Sequence, residues 1–338
     1  MRAWELRGDG VETLAVAERE APRPGPGQVR IRMRAASLNY RDLLVAGGTY
    51  ARGGPQRRPL VPLSDGAGEI VEVGPGVTAL ARGDRVVGSF FQRWLDGPFE
   101  PGYAASALGG GSTDGVLAEE VVLAADAVVR FPVHLSFEEA STLPCAGVTA
   151  WVGLFVLGNL SPGEWVLAMG TGGVSIFALQ FAKATGARVV LTSSDDAKLA
   201  RGKALGADAT INYRKTPAWD EAAREITGGR GIDEILEVGG AATLPRSLRA
   251  VREGGHVTLT GLLGGARAEV EVAGRLAPGV RVDPVFVGSV NHLGALADAV
   301  ARERLRPVVD RVFPFEQAPA AYAHLRGGAH LGKVVIAL

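Results

Sequence analysis

Residues 166–194 read VLAMGTGGVSIFALQFAKATGARVVLTSS. An apolar run enters a cluster of glycines, a helical pattern leaves it, and a second apolar run follows. That is the layout of a strand, a tight turn and a helix. In GTGGVS, Gly170 permits the turn and Gly172 lets the backbone approach a pyrophosphate. The helix starting near Gly173 directs its first amides and the positive end of its dipole toward the phosphates. At the third fingerprint position, where helix and strand pack closely, stands Ser175 in place of glycine. Serine is only slightly larger, so it weakens the match without excluding it. A plain turn between strand and helix can look the same, and the surroundings decide for a dinucleotide.

From about Trp165 the chain alternates strand and helix. VLAM, RVVLT, ATIN, IDEILEV, HVTLTGLL and VRVDPVFV read as successive strands, separated by helical stretches such as SIFALQFAKATG and DAKLARGKALG. Such alternation predicts a parallel sheet covered by helices, an α/β doubly wound fold. The first part of the chain is instead β-rich. In QVRIRMRAA, Val29, Ile31 and Met33 alternate with Arg30, Arg32 and Arg34, the period of a half-buried strand. GEIVEVG and GDRVVG are short strands closed by glycines. Loops follow at 47–59, with Arg52, Arg57 and Arg58, and at 96–115, where small and turn residues dominate. The tail, PFEQAPAAYAHLRGGAHLGKVVIAL, returns to one helix and a final strand that completes the first domain.

Length and composition bound the reading. A chain of 338 residues has room for two domains with a core in each. Lys+Arg and Asp+Glu both number 36, so nothing in the charge argues for nucleic acid or an anionic membrane as partner. Cys145 is the single cysteine, which excludes an intramolecular disulfide and a cysteine-rich zinc lobe. MRAWELRGDG carries charges where a signal peptide needs an apolar region, so a cytoplasmic protein is expected. Residues 141–163 carry no charge, but Pro144, Asn159 and Pro162 interrupt them, and a buried helix is expected rather than a membrane span.

The end of the second strand bears on which dinucleotide binds. An acid there grips a ribose 2′-hydroxyl and repels a 2′-phosphate. LTSSDDAKLA presents Ser193 and Ser194 first, then Asp195, Asp196 and Lys198. Hydroxyls and an ammonium suit the 2′-phosphate of NADP(H), which is favoured over NAD(H). Asp195 holding the ribose of NAD is the rival, and aspartates that simply cap the next helix are a third reading.

With SLNYRDLL, PLSDGAGEIVEVGPGVTALARGDRVVG, LPCAGVTAW, the GTGGVS turn, KALGADATINY and the terminal GKVVIAL, the chain resembles the medium-chain dehydrogenase/reductase superfamily over nearly its full length. It is most similar to the zinc-free branch that includes NADPH-dependent quinone oxidoreductases. The resemblance implies a GroES-like catalytic domain (residues 1–128 and 289–338) and a Rossmann domain (129–288), with nicotinamide and substrate in a cleft between them. Zinc-dependent relatives supply a cysteine where this chain has Asn39, and Gly-His-Glu where it has Leu63, Ser64 and Asp65. Only Cys145 matches a ligand position, and Leu44 stands where many alcohol dehydrogenases carry a relay histidine. No zinc is expected, since such a site needs three protein ligands.

The resemblance also assigns roles. Thr149 matches a threonine whose side chain approaches the nicotinamide, a role favoured over that of an ordinary helix hydroxyl bonded to the preceding turn. Gly170, Thr171, Gly172, Gly173 and Val174 form the pyrophosphate turn. Lys198 and Tyr213 match the pair that flanks a 2′-phosphate beside Ser193. Val238 and Gly261 take cofactor positions, and Phe286, Val287 and Gly288 resemble the segment that meets the carboxamide. Lys333 lies where some relatives place a cation near the pyrophosphate. Asn39 and Asp42 match an Asn-x-x-Asp pattern beneath the nicotinamide; Asn39 is placed to orient a substrate carbonyl, and Asp42 is equally a structural acid paired with an arginine. Tyr50 is a candidate hydrogen-bond donor at the cleft mouth. Phe90, Phe91 and Trp94 form either an aromatic wall for a flat substrate or a cover for the core.

Without a Lewis acid, oxidation of a simple alcohol becomes difficult. A quinone or enone is already electrophilic, and hydride addition gives a delocalised phenolate or enolate that a few hydrogen-bond donors stabilise. The expected function is therefore zinc-independent, NADPH-dependent reduction of a quinone or α,β-unsaturated carbonyl. A zinc-free dehydrogenase for one dedicated alcohol or ketone, and an NADPH-binding redox sensor or structural protein without turnover, remain open. Arg52, Arg57 and Arg58 raise an anionic substrate as a further possibility. A homodimer through the apolar edge strand VRVDPVFV completes the expectations.

Overall fold

The computed structural model describes residues 1–50, 58–261, 263–270 and 278–338. The chain divides into two compact units, Met1–Val148 with Val287–Leu338, and Thr149–Phe286. The first begins with a hairpin of β1 (Arg2–Leu6) and β2 (Leu14–Glu18), then β3 (Gln28–Leu38), α1 (Tyr40–Ala46), β4 (Asp65–Val73), β5 (Arg85–Gly88), β6 (Glu120–Ala124), β7 (Val128–Arg130) and α2 (Phe137–Ala140). β3 is the spine and pairs antiparallel with both β4 and β6. Val29, Ile31 and Met33 are buried along it while Arg32 and Arg34 are exposed, as period-two alternation predicts. This unit runs past residue 128, the boundary expected from sequence, because β7 pairs with β5.

From Leu143 the chain coils through two wide π turns, Leu143–Gly147 and Val152–Leu157, on either side of α3 (Val148–Trp151). The uncharged stretch is thus a short, irregular helix. Among the described residues no helix is long and apolar enough to cross a membrane.

The second unit alternates β8 (Trp165–Met169), α4 (Gly173–Thr185), β9 (Arg188–Ser193), α5 (Asp196–Ala204), β10 (Ala209–Asn212), α6 (Trp219–Ile226), β11 (Ile232–Glu237), α7 (Leu244–Ala250), β12 (Val251–Leu259) and β13 (Arg281–Pro284). All six strands are parallel, in the order β10-β9-β8-β11-β12-β13. Counted within this unit the order is 3-2-1-4-5-6, so the direction of winding reverses between β8 and β11. Leu167, Val190, Ile235 and Val257 fill the core from neighbouring strands. β12 starts before HVTLTGLL and stops at Leu259, and Leu262 lies outside the described residues. β13 covers only the first part of VRVDPVFV; Val287, at φ 59°, turns the backbone out of the extended conformation.

The chain then returns to the first unit with α8 (Val290–Arg302), β14 (Val309–Pro314), α9 (Ala318–Arg326) and β15 (Lys333–Ala337). β15 enters beside β3, antiparallel, with Ile336 opposite Ala36, and carries β14 on its far edge. The tail therefore completes the first sheet, and Tyr322 on α9 is fully buried beneath it. Phe90, Phe91 and Trp94 are buried too. The ring centroids of Phe91 and Trp94 lie 5.8 Å apart, those of Trp94 and Phe99 5.1 Å, and Trp94 stacks on Tyr103. These aromatics cover the core under the long loop, and the aromatic-wall reading falls to that packing.

Candidate active site

β8 ends at Met169 and α4 starts at Gly173, so the chain reverses direction in three residues. Gly170 takes φ 76°, a conformation that strains any residue with a β-carbon. A β-carbon added to Gly172 meets nothing within 4 Å, so the space before the helix is open to a close backbone approach. No side chain caps α4, which leaves its first amides for an anion. Ser175, 2% exposed, donates its hydroxyl to the Met169 carbonyl at 2.5 Å. The helix and strand are thereby tied by a hydrogen bond where a glycine would tie them by contact. Thr171 is buried and Val174 half-buried in this turn.

The other cofactor positions of this unit fall at one end of its sheet. Ser193 ends β9, Tyr213 follows β10, Val238 follows β11, Gly261 lies just beyond β12 and Phe286 just beyond β13. That is the carboxyl end of the parallel strands, where doubly wound sheets bind ligands. The Tyr213 N–H donates to the Ser193 carbonyl at 3.1 Å, and its side chain is exposed. Lys198 sits in the first turn of α5. The buried Ser193 hydroxyl accepts from the Asp195 N–H at 3.2 Å. Asp195 caps α5 through Ala197 and Lys198, and Asp196 accepts from Asn212 and pairs with Lys215. A β-carbon on Gly261 would lie 2.5 Å from the Val238 carbonyl oxygen, so the two backbones touch. Glu237, fully buried, holds this corner by accepting from Gly239 and Gly240 N–H and from the hydroxyls of Thr243 and Ser247. A β-branched Val287 with positive φ is a strained backbone position of the kind that clusters at binding sites. Thr149 is buried at the start of this unit.

In the first unit, Asn39 precedes α1, and the Asp42 carboxylate accepts the Asn39 N–H at 2.7 Å. Lys333, expected at the pyrophosphate, joins this group. It is 3% exposed, and its ammonium donates to Leu38 O and to Asn39 Oδ1, both at 2.6 Å, with Asp65 4.0 Å away. An ammonium only donates, so it fixes which branch of the amide is oxygen. Asn39 Nδ2 is buried and closes no hydrogen bond. It is near enough to Asp65 to help keep that carboxylate charged, without the geometry of a hydrogen bond. Asp65 accepts from the Ser64 hydroxyl at 2.6 Å and from the Cys145 N–H at 3.1 Å. Burial pushes the Cys145 thiol up, and the neighbouring Asp65 adds to this.

Arg41, unremarked in the sequence, is the second cation here. Its guanidinium lies between the rings of Tyr50 and Phe90, 4.6 and 4.7 Å from their centroids, donates to Leu108 O and stands 3.6 Å from Asp42. Tyr50 is thus engaged with Arg41. Burial nevertheless pushes Asp42 from 3.8 up to about 6, against the pull of Arg41 and the Asn39 N–H. An acid raised in this way holds its proton more tightly folded than unfolded, so stability falls as the pH rises from about 4 to about 6. Asp42→Asn removes that dependence. Its unfolding free energy relative to wild type is expected to improve by about 2 kcal/mol between pH 4 and pH 7 in denaturant titrations, and an unchanged difference contradicts the assignment.

Arg58 bonds Asp9 and the Val45 carbonyl, while Arg52 and Arg57 lie outside the described residues. Among the described residues, no three His, Cys, Asp or Glu side chains converge as a metal-ligand set. Glu237, a buried acid within an apolar strand, and Arg41, one arginine among many, gave no distinguishing signal in the sequence. The terminal lysine was visible, but its partners depend on the register of β15 against β3.

Residues 25–133 match the family description "Alcohol dehydrogenase GroES-like domain" and residues 173–302 match "Zinc-binding dehydrogenase". A zinc-type alcohol dehydrogenase-like protein of Schizosaccharomyces pombe is 44% identical over 334 residues, 97% of this chain and 96% of its own. The crystal structure of a putative alcohol dehydrogenase from Sinorhizobium meliloti matches at TM-score 0.93 and 42% identity, covering 100% of this chain and 98% of that one. A quinone oxidoreductase of Pseudomonas syringae matches at TM-score 0.82 and 26% identity, covering 100% and 99%. With a glycine turn shaped for a pyrophosphate and these relatives spanning its length, the chain belongs to the medium-chain dehydrogenase/reductase superfamily and is a pyridine-nucleotide-dependent oxidoreductase of the alcohol dehydrogenase and quinone oxidoreductase type.

Proposed function

We propose that the protein is a zinc-independent, NADPH-dependent reductase that transfers hydride to a quinone or an α,β-unsaturated carbonyl. The observation that carries this reading is the buried Asn39 amide, whose Oδ1 is held by Lys333 and whose Nδ2 approaches Asp65 without completing a hydrogen bond there, so that donor capacity is left unused. A buried donor without a partner is costly unless a ligand supplies the acceptor. A carbonyl oxygen that gains negative charge during reduction is such an acceptor. Nicotinamide supplies the hydride when bound. Asn39 donates to the carbonyl oxygen as it becomes enolate or phenolate, Thr149 is the side chain we assign beside the nicotinamide, and water returns the proton.

Zinc independence is supported by the donors present. A zinc site takes thiolate, imidazole or carboxylate ligands. Here the Asn39 amide, the Ser64 hydroxyl, the Cys145 thiol, the Asp65 carboxylate and a buried ammonium occupy the corresponding region; Asp65 is already engaged by Ser64, the Cys145 N–H and Lys333, and among the described residues no three-ligand set converges. This holds although one matched family is named for zinc binding.

The preference for NADPH is supported by Ser193 and Tyr213, joined by a backbone hydrogen bond beyond β9 and β10, by Lys198 in the first turn of the following helix, and by the prior engagement of both aspartates. Ser193→Asp places a carboxylate where the 2′-phosphate is to lie. It is expected to cost NADPH on the order of 100-fold in kcat/KM and NADH far less. Equal losses for the two nucleotides in steady-state assays contradict the phosphate grip.

We further propose a homodimer through β13, which is terminal in its sheet and exposes Val282. A monomer in light scattering at micromolar concentration overturns this. The functional reading is tested by following NADPH and NADH consumption with a 1,4-quinone and a simple enone, and by identifying the product. NADPH-preferring reduction of the quinone, or of the conjugated double bond, is expected. Tight NADPH binding without turnover, or reduction confined to an isolated carbonyl, overturns it.

A further inference from the structure

We propose that Lys333 is the positioning residue of this site: its buried ammonium grips Asn39 Oδ1 and fixes the amide so that Nδ2–H is presented to the substrate oxygen. The inference rests on the reading of Asn39 as the donor.

The lysine's place is set by the sheet. β15 pairs with β3 so that Val334 lies opposite Leu38, and Lys333, one residue earlier, reaches the end of β3 where Asn39 begins the turn into α1. There the ammonium is anchored by the Leu38 carbonyl, a backbone group that cannot rotate away. An asparagine amide has two orientations of similar shape, related by a half-turn of its terminal torsion. Beside an ammonium they are not equivalent. One makes a charge-assisted hydrogen bond, and the other opposes NH2 to NH3⁺. The bond also draws electron density toward Oδ1, which makes the Nδ2 hydrogens better donors. Lys333 further acts on Asp42, Asp65 and Cys145, whose ionisation its charge influences. With Arg41 it supplies the positive charge of this cluster, and it is the cation bonded to Asn39, the group through which that charge reaches a carbonyl.

The test is a double-mutant cycle in the full chain, with saturating NADPH and 1,4-benzoquinone as probe. Lys333→Met is expected to lower kcat about 100-fold while the quinone KM and the NADPH Kd move less than about threefold. Lys333→Arg, which keeps a charged donor, is expected to restore most of the loss. In Asn39→Ala, adding Lys333→Met is expected to cost no more than about twofold, because the lysine acts through the amide. Additive losses, or wild-type kcat in Lys333→Met, overturn the proposal.

A binding-independent measurement covers a variant that does not fold and a wild type that reduces neither a quinone nor an enone. That second outcome is the failure of the functional reading, not of this one. The chain has four asparagines, so ¹⁵N-asparagine labelling gives few side-chain amide signals, and Asn39→Ala identifies the one of interest. One orientation with slow exchange in wild type, lost in Lys333→Gln, supports the lock. Equal exchange in both proteins overturns it.

Discussion

Asn39→Asp is expected to lower kcat for quinone reduction by about 100-fold or more, the effect of removing a principal donor to a developing oxyanion. The substitution is nearly isosteric. It keeps an oxygen for the Lys333 ammonium, which therefore stays paired, but turns the other branch from donor to acceptor. Because the new oxygen also lies near Asp65, the thermal midpoint is measured alongside, and the expected result is a loss of kcat in a variant that remains folded. An aspartate there also sets a negative charge toward an oxygen that is gaining one, so the quinone KM is expected to change less than kcat. NADPH affinity, which depends on the second unit, is expected to stay near wild type. A variant within about threefold of wild-type kcat removes Asn39 from the mechanism.

Gly172→Val is expected to abolish nucleotide binding while leaving the fold intact. The backbone at Gly172 has an ordinary φ of −74°, and an added β-carbon meets no atom within 4 Å. No atom within 4 Å opposes the β-carbon, and the side chain enters the space through which we propose that a pyrophosphate reaches the first amides of α4. The thermal midpoint of the free protein should remain close to wild type, and the upward shift produced by saturating NADPH should vanish, with Kd raised on the order of 100-fold. Gly170 behaves differently, because its φ of 76° makes any substitution strain the turn itself. A retained NADPH-induced shift in Gly172→Val places the pyrophosphate elsewhere.

The second unit was legible because its signals are local. Apolar strands of four to six residues, helices that begin after glycine or aspartate, and a glycine turn at the first crossover lie within short windows of sequence. β10 was found at its observed ends, Ala209–Asn212. The ends of β12 and β13 are not, since one depends on where β11 offers a partner and the other on where β12 stops, with Leu259 opposite Pro284. The third fingerprint position was also legible only in part. Ser175 was visibly small enough, but its bond to Met169 needs the strand and helix in place.

The first unit hides more. Asn39 and Asp42 could be picked out by their spacing within SLNYRDLL, but what they do is set by residues far away in sequence. Lys333 arrives from the last strand and Asp65 from the start of β4, while Arg41 is held between rings from two different loops. No periodicity encodes such a meeting. The same distance explains the aromatic residues: sequence leaves a substrate wall and a core cover equally open, and the packing of Phe99 and Tyr103 on Trp94 decides for the cover.

As proposed here, the Asn39 amide held by Lys333 stabilises the developing oxyanion without a metal ion. The most direct measurement is to determine the metal content of the purified protein by mass spectrometry and its NADPH-dependent reduction of a 1,4-quinone on the same samples, before and after exhaustive chelation. Substoichiometric zinc throughout and a turnover number that chelation leaves unchanged are expected. Activity that falls with zinc removal and returns when zinc is restored contradicts this mechanism.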